Sequence, residues 1–138
     1  MKKQDCIFCN LANGIWPAEA IYEDDKVKVI LDAGPASKGH ALILPKEHAD
    51  DMFDLDEESA AHIFVVANKV AKAMKKTLNC DGMNILQNNG PIAGQTVFHF
   101  HLHLIPRYEG DGIALTWKPG SVTDEEKSEI IAEIKKGL

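Results

Sequence analysis

The sequence predicts an α+β domain with a mainly antiparallel sheet, one long helix and a further helix at the C-terminus. Short apolar runs bounded by polar turns indicate strands joined by hairpins. One long stretch carries apolar residues at helical spacing, and a capping signal precedes a last amphipathic segment. Strands and helices follow one another in mixed order, which is typical of α+β proteins. The 138 residues are expected to form a single domain, 1–138.

Turn signals and apolar runs predict each element in order. Residues 6–11 are followed by Asn13 and Gly14, which favours a short helix closed by the glycine. Strands are predicted around residue 21 and over residues 27–31, 41–44, 83–86 and 97–105.

Two capping signals predict the longer helices. Asp54 with Glu57 marks the start of an amphipathic helix over residues 57–78, in which apolar side chains recur every three or four positions. Thr123 with Glu126 marks the start of a terminal helix that ends in lysines, which suits the negative end of its dipole.

Charge and composition exclude several classes of protein. The net charge of −6 gives no overall positive field for nucleic acid. No apolar run approaches the length of a membrane span or a secretion leader, so we expect a cytoplasmic protein. Three cysteines in such a chain argue against a disulfide framework. Cys6 and Cys9 form a C-x-x-C pair, which suits either a metal ion or redox chemistry.

A row of histidines is the most informative feature of the sequence. His99, His101 and His103 alternate with apolar residues over 97–105, and on a strand they would share one face. A single strand histidine is usually a hydrogen-bonded bystander, but three in register would be costly to desolvate without a use. The row indicates either a metal site or catalysis by imidazole itself.

The loop before this row favours phosphate chemistry. Residues 88–96 combine glycines with amide and hydroxyl side chains. Glycine lets backbone N–H groups approach a ligand closely, and such loops suit phosphate oxygens. Most glycine-bearing loops are plain turns, so this loop indicates phosphate binding only in combination with the adjacent histidines.

The segment His99-Phe100-His101-Leu102-His103-Leu104-Ile105 resembles the signature of the histidine-triad (HIT) family, in which three histidines alternate with apolar residues. Asn88 and residues 94–97 are similar to that family's approach to the signature. Leu31-Asp32 and the later segment 39–48 are similar to it as well. The resemblance covers roughly residues 6–108, which makes residues 109–138 a C-terminal extension.

This resemblance implies a nucleotide hydrolase or transferase that works through a covalent nucleotidyl-histidine. His101 corresponds to the nucleophile, and His103 to a histidine that contacts the phosphate. Asp32 corresponds to the acidic residue that accepts the ribose hydroxyls. The other substrate contacts implied are Asn88, Gln95 and Thr96 at the phosphate or leaving group, with Phe8, Leu11 and Ile30 walling a purine base or forming ordinary core.

The same resemblance, to zinc-binding members near the Hint branch, implies a structural zinc ion. The matching ligands are Cys6, Cys9, His48 and His99, and two thiolates with two imidazoles make a closed tetrahedral site. It also implies a homodimer in which the long helix and a sheet edge pair across a two-fold axis.

The predicted function is therefore hydrolysis of nucleoside phosphoramidates or dinucleoside polyphosphates. Two alternatives stay open: a nucleotide-binding module with little turnover, and a hydrolase whose catalytic metal is held by the triad itself. Of the remaining histidines, His40 is expected beside the site and His62 on a helix surface.

Overall fold

The fold, described for residues 2–138 in a computed structural model, is an antiparallel sheet with helices on both faces. Its five strands are β1 (Tyr22–Glu23), β2 (Val27–Leu31), β3 (Ala41–Pro45), β4 (Gly82–Leu86) and β5 (Leu102–Arg107). The sheet order is β1-β2-β3-β5-β4, and every neighbouring pair is antiparallel. The predicted α+β class with a mainly antiparallel sheet is confirmed.

The helices are α1 (Ile7–Ala12), α2 (Glu57–Leu78) and α3 (Asp124–Lys135). The predicted bounds of the long helix are confirmed, but the predicted start signal is wrong by two residues. Asp56, not Asp54, caps α2 by accepting a hydrogen bond from the backbone N–H of Ser59 at 2.8 Å. Thr123 caps α3 by accepting one from the N–H of Glu126, as expected.

The sheet carries a different helix on each face. Alternate side chains of β2, β3 and β5 pack with Ile63, Val66 and Val70 of α2 in the larger core cluster. The other face of the sheet packs against α1, with Ala12 in a smaller cluster. Because α1 is short, it covers only part of this second face, and the uncovered part is where the cavity described below lies.

The histidine segment departs from its predicted strand. Residues 97–101 have bent, irregular backbone, and β5 begins only at Leu102. The backbone N–H of Phe100 donates to the carbonyl of Ala49 at 2.7 Å, in the connection between β3 and α2, instead of to a neighbouring strand. The apolar residues that alternate with the histidines do not share one buried face as they would on a strand, because Phe98 is 48% exposed while Phe100 is buried.

The C-terminal segment lies mostly outside these cores. None of the α3 residues is buried, and Ile130, Ile131 and Ile134 are exposed. Within residues 2–138, no helix combines the length and apolar character needed to cross a membrane.

Candidate functional site

The three alternating histidines divide between two separate environments. His99 is fully buried and contacts Cys6, Cys9 and His48, whereas His101 and His103 line a cavity. Only His103 belongs to β5. The bent backbone before it frees His99 from the strict alternation that a strand would impose.

Cys6, Cys9, His48 and His99 form what we call the thiol–imidazole cluster. Their ligand atoms all lie within 4.8 Å of one another. The Nδ1 atom of His99 is 3.4 Å from each sulfur and 3.2 Å from Nδ1 of His48, and the sulfur of Cys9 is 3.3 Å from the same His48 nitrogen. A tetrahedral zinc ion with ordinary bond lengths would place two nitrogens about 3.3 Å apart and a nitrogen and sulfur about 3.5 Å apart. The cluster therefore has the dimensions of a tetrahedral metal site.

The tautomers of the two imidazoles fit the same arrangement. Nε2 of His99 lies 2.8 Å from the carbonyl of Pro45, and Nε2 of His48 lies 2.6 Å from a carboxylate oxygen of Asp50. Both acceptors require the proton on Nε2, which leaves a lone pair on each Nδ1. Two lone pairs 3.2 Å apart repel each other unless a cation lies between them. The donor set thus fits a metal ion better than a hydrogen-bonded cluster.

Burial controls protonation in this cluster. Desolvation lowers the pKa of His99 to about 4, so its ring is neutral at physiological pH and free to act as a ligand. Burial also raises the pKa of the Cys9 thiol, so that a nearby cation is needed to hold it as a thiolate.

The second environment is a cavity of about 680 Å³ between α1, the ends of β2 and β5, and the loop at residues 88–97. Asp32, His40, His101 and His103 form what we call the cavity cluster. Asp32, His101 and His103 were predicted to share a site, and the structure brings them to one cavity. The other predicted site residues along its wall are Phe8, Leu11, Ile30, Asn88 and Thr96.

His101 is held with one nitrogen unengaged. Its Nδ1 lies 2.7 Å from the backbone carbonyl of His99 and must carry the proton, which leaves Nε2 as an unprotonated acceptor. Desolvation lowers the pKa of the ring, so the neutral form predominates at neutral pH. The ring packs against Phe8 in a T-shaped contact, with ring centroids 4.8 Å apart and nearly perpendicular planes. The ring is therefore fixed in the tautomer that a nucleophile requires.

His103 is held in the opposite tautomer through His40. The backbone N–H of Ala36 donates to Nδ1 of His40 at 2.9 Å, which places the His40 proton on Nε2. That proton is donated to Nδ1 of His103 at 2.8 Å, so His103 carries its own proton on Nε2. Burial lowers the pKa of both rings, that of His103 to about 4, which keeps the pair neutral. His103 thus offers an N–H donor where His101 offers an acceptor.

Asp32 lies at the end of β2 beside this pair. One carboxylate oxygen accepts from the backbone N–H of Gly34 at 2.8 Å, and the other is 3.6 Å from Nε2 of His40. The side chain is partly exposed, and Asp32 lines the cavity. It is therefore oriented by the chain and still has acceptor capacity for a ligand.

The structure does not place Gln95 in the cavity wall. Its amide is buried and donates to the carbonyls of Asp50 and Val97 at 2.7 and 3.1 Å, while its oxygen accepts from the N–H of Gly90. These bonds hold the conformation of the loop that carries Asn88 and Thr96, so Gln95 supports the loop. Neighbouring Gly94 has a φ of 97°, a conformation that favours glycine.

Several cavity residues were not anticipated from the sequence, and two of them lie far along the chain. Ile113 and Leu115 line the cavity, although they lie beyond β5 in a segment with no regular structure. An apolar residue in an irregular segment carries no periodic signal, so no pattern could have indicated them.

His40 was expected beside the site, and it takes part in the hydrogen bonding described above. His62, expected on a helix surface, lies on α2 with Nε2 2.7 Å from a carboxylate oxygen of Asp24.

The geometry gives no support for a metal ion shared by all three triad histidines. Among residues 2–138, the groups with metal-binding geometry are the thiol–imidazole cluster and the set Asp32, His40 and His103. His101 belongs to neither, and His99 does not line the cavity that the other two line.

The protein has an α+β fold with an antiparallel sheet, and three alternating histidines lie at the start of one strand, two of them in a cavity. These features define a histidine-triad protein. The comparison with known families agrees, because the model of the HIT domain matches residues 13–110. The chain belongs to the HIT family.

Similar proteins cover nearly the whole chain. The crystal structure of a HIT family protein from Bacillus anthracis is 46% identical, with a TM-score of 0.93, and 98% of each chain is covered. The adenosine 5′-monophosphoramidase of Schizosaccharomyces pombe is 41% identical over 130 residues, 94% of this chain and 95% of that protein. The structure of a zinc-bound histidine triad protein from Mycobacterium smegmatis is 37% identical, with a TM-score of 0.75, over 97% of this chain and 98% of that one.

Proposed function

We propose that this protein hydrolyses nucleoside phosphoramidates or dinucleoside polyphosphates through a covalent nucleotidyl group on His101. The observation that carries the proposal is the state of the His101 ring. Its Nδ1 proton is held by the His99 carbonyl, its Nε2 is unengaged, and the ring lines a cavity large enough for a nucleotide. The similar Schizosaccharomyces pombe protein is named as an adenosine 5′-monophosphoramidase, which supports the same chemistry here.

The proposed reaction has two displacements at phosphorus. Nε2 of His101 attacks the α-phosphorus, a P–N bond forms, and the leaving amine or phosphate departs with the electrons of the broken bond, an amine taking up a proton from solvent. Water then attacks the same phosphorus and releases a proton to solvent, the bond to Nε2 breaks, and the nucleoside monophosphate is released as His101 returns to its neutral form. The N–H that His103 directs away from His40 is suited to hydrogen-bond a phosphate oxygen while negative charge develops.

The rest of the cavity suits a purine nucleotide. Asp32 has acceptor capacity for the two ribose hydroxyls, and the apolar wall of Phe8, Leu11 and Ile30 suits a flat base. Asn88 and Thr96 supply amide and hydroxyl groups on the side of the loop, where they are suited to the phosphate or leaving group. In this proposal Gln95 contributes by holding that loop through its bonds to Asp50, Val97 and Gly90.

A structural zinc ion in the thiol–imidazole cluster is part of the proposal. The support is the tetrahedral spacing, the two Nδ1 lone pairs that face each other, and the zinc-bound relative from Mycobacterium smegmatis. Bound zinc would join the N-terminal segment to the connection that follows β3 and to the His99 end of the triad, and no chemical step passes through it.

A homodimer is also proposed. The outer surface of α2 exposes Phe64 and Val65, and β4 forms a sheet edge with Ile85 exposed. We expect sedimentation at micromolar concentration to give a dimer, and Phe64→Glu to shift it to monomer. Phe53→Glu, at an exposed position outside this surface, is the matched control. A wild-type monomer would refute the dimer.

The test of function is to trap the intermediate. The protein is incubated with an adenosine phosphoramidate and, separately, with a diadenosine polyphosphate, then denatured in alkali because acid destroys a phosphoramidate linkage. We expect turnover and a mass increase of one adenylyl group on His101. His62→Asn, which removes a histidine outside the cavity, should keep both. Nucleotide binding without turnover or adduct would instead favour a binding module.

A further inference from the structure

Part of the cavity wall comes from the chain beyond the residues matched by the family model. That match ends at residue 110, whereas Ile113 and Leu115 line the cavity. Both residues follow β5 in irregular backbone, and Leu115 is 39% exposed. A wall of this kind keeps its place only if something outside regular secondary structure holds it.

Arg107 provides that hold from the last position of β5. Its guanidinium donates to both carboxylate oxygens of Asp111, at 2.7 and 3.0 Å, in a two-pronged ion pair. A further N–H donates to the carbonyl of Ile113 at 2.7 Å, and another to the side-chain oxygen of Asn84 on β4 at 2.8 Å. One side chain therefore joins two strands of the sheet to the backbone of the wall.

Asp111 also holds the backbone of this turn through hydrogen bonds to its carboxylate. Its carboxylate accepts from the backbone N–H groups of Tyr108 and Ile113, at 3.1 and 3.0 Å, in addition to Arg107. These donors hold the pKa of Asp111 well below its usual range. The carboxylate is 12% exposed and the guanidinium 25%, so water competes only partly for the pair. The turn from Tyr108 to Ile113 is thus fixed by hydrogen bonds to one carboxylate.

We propose that Arg107 and Asp111 are positioning residues that hold Ile113 and Leu115 against the apolar part of a bound nucleotide. The proposal rests on the proposed function, since it takes the cavity as the nucleotide site. Apolar contacts of this kind stabilise the bound ground state and the transition state alike. Losing them should therefore raise KM and leave kcat unchanged.

The experiment compares Asp111→Asn, the double variant Ile113→Ala/Leu115→Ala, and all three changes combined. Glu109→Gln on the same turn is the matched control, since that side chain neither lines the cavity nor bonds to Arg107 in the structure. For each protein we would measure kcat and KM with an adenosine phosphoramidate, and Kd for AMP by titration. The melting temperature shows whether each variant is folded.

We expect KM and the Kd for AMP to rise about tenfold in the double variant, as about 50 Å² of apolar contact is lost. KM and Kd should rise by a similar factor in Asp111→Asn, and kcat should stay within about twofold of the wild-type value. The combined variant should show no larger rise in KM and Kd than either variant alone, because both changes act through one wall. Hydrogen exchange at the Ile113 amide should be faster in Asp111→Asn, since that amide donates to the carboxylate. Arg107→Lys, which keeps the charge but not the two-pronged geometry, should be intermediate.

Unchanged KM and Kd in Asp111→Asn, a change in kcat alone, or fully additive effects in the combined variant would overturn the proposal. If Asp111→Asn does not fold, Arg107→Lys and the wall variant decide the question in the same way. A wild-type protein that binds AMP but hydrolyses neither the phosphoramidate nor a diadenosine polyphosphate would refute the proposed hydrolysis, and Kd alone would then test the wall. A wild-type protein that does not bind AMP would refute the positioning role.

Discussion

The thiol–imidazole cluster and the cavity cluster take their histidines from the same short segment, yet one is closed and the other open. His99 is fully buried, and in its cluster each imidazole has an acceptor for Nε2 and a cysteine sulfur beside Nδ1. His101 and His103 border the cavity, and each keeps one nitrogen unengaged by the protein. The comparison indicates that exposure to a cavity and the partner of the second ring nitrogen, rather than residue type, determine whether a histidine has a nitrogen available to a ligand.

Removing the unengaged nitrogen of His101 should reduce activity more than any other single change. His101→Ala should lower kcat by at least about 10³-fold, because no other group replaces the nucleophile of the two-step path. Zinc content and melting temperature should match those of wild type, since His101 lies outside the thiol–imidazole cluster. Steady-state kinetics and metal analysis check both expectations. Loss of zinc together with activity would mean that the two clusters are not separate.

Disrupting the thiol–imidazole cluster should instead reduce zinc content and stability. Cys6→Ser should remove most of the bound zinc and lower the melting temperature by roughly 10 °C or more, because metal binding is coupled to folding. Metal analysis should give close to one zinc per wild-type chain. Cys80→Ser is the control, because that buried cysteine lies outside the cluster. A zinc-free wild-type protein of normal stability would rule out the structural ion.

A smaller effect should follow from replacing Asp32 in the cavity cluster. Asp32→Ala should raise KM for a ribonucleotide substrate about tenfold, since hydrogen bonds to a charged group contribute about 1.5 kcal/mol or more. The rise should be smaller for the 2′-deoxy analogue, which lacks one of the two hydroxyls. Asp25→Ala, in the turn before β2, is the control. An equal rise with both substrates would assign Asp32 a structural role, through its bond to Gly34.

The smallest expected effect is a pH dependence of stability from the cavity cluster. Burial lowers the pKa of His103 to about 4 in the folded protein, below the unfolded value of about 6.5, so the unfolded chain binds more protons between these values. Its contribution to stability is complete above about pH 6.5 and is lost as the pH falls towards 4. Urea unfolding at pH 7.5 and 5.5 should therefore show a larger loss for wild type than for His103→Gln. Equal losses would show that His103 does not contribute.

Much of the fold followed from local patterns. The apolar periodicity of residues 57–78 indicated the long helix, and the apolar runs at 27–31, 41–44 and 83–86 indicated strands, because these elements bury one face or both against the rest of the protein. The strand at 97–105 was predicted too long. Alternation persists in the sequence there, but the Phe100 N–H bonds to Ala49 rather than to a strand. Hydrogen-bond partners of this kind are chosen by the tertiary fold and leave no trace in periodicity.

The alternating histidines were enough to indicate the family, and the spacing of apolar residues was enough to indicate the class of fold. Which histidine contacts the cysteines and which ones line the cavity became apparent only from the folded chain, because that depends on the backbone bend before Leu102. The folded chain alone also showed that Gln95 shapes the loop, that Ala36 sets the tautomers of His40 and His103, and that Ile113 reaches the cavity. Periodicity reports how a residue sits on its own element, whereas hydrogen-bond partners and cavity walls are contributed by segments far apart in the chain.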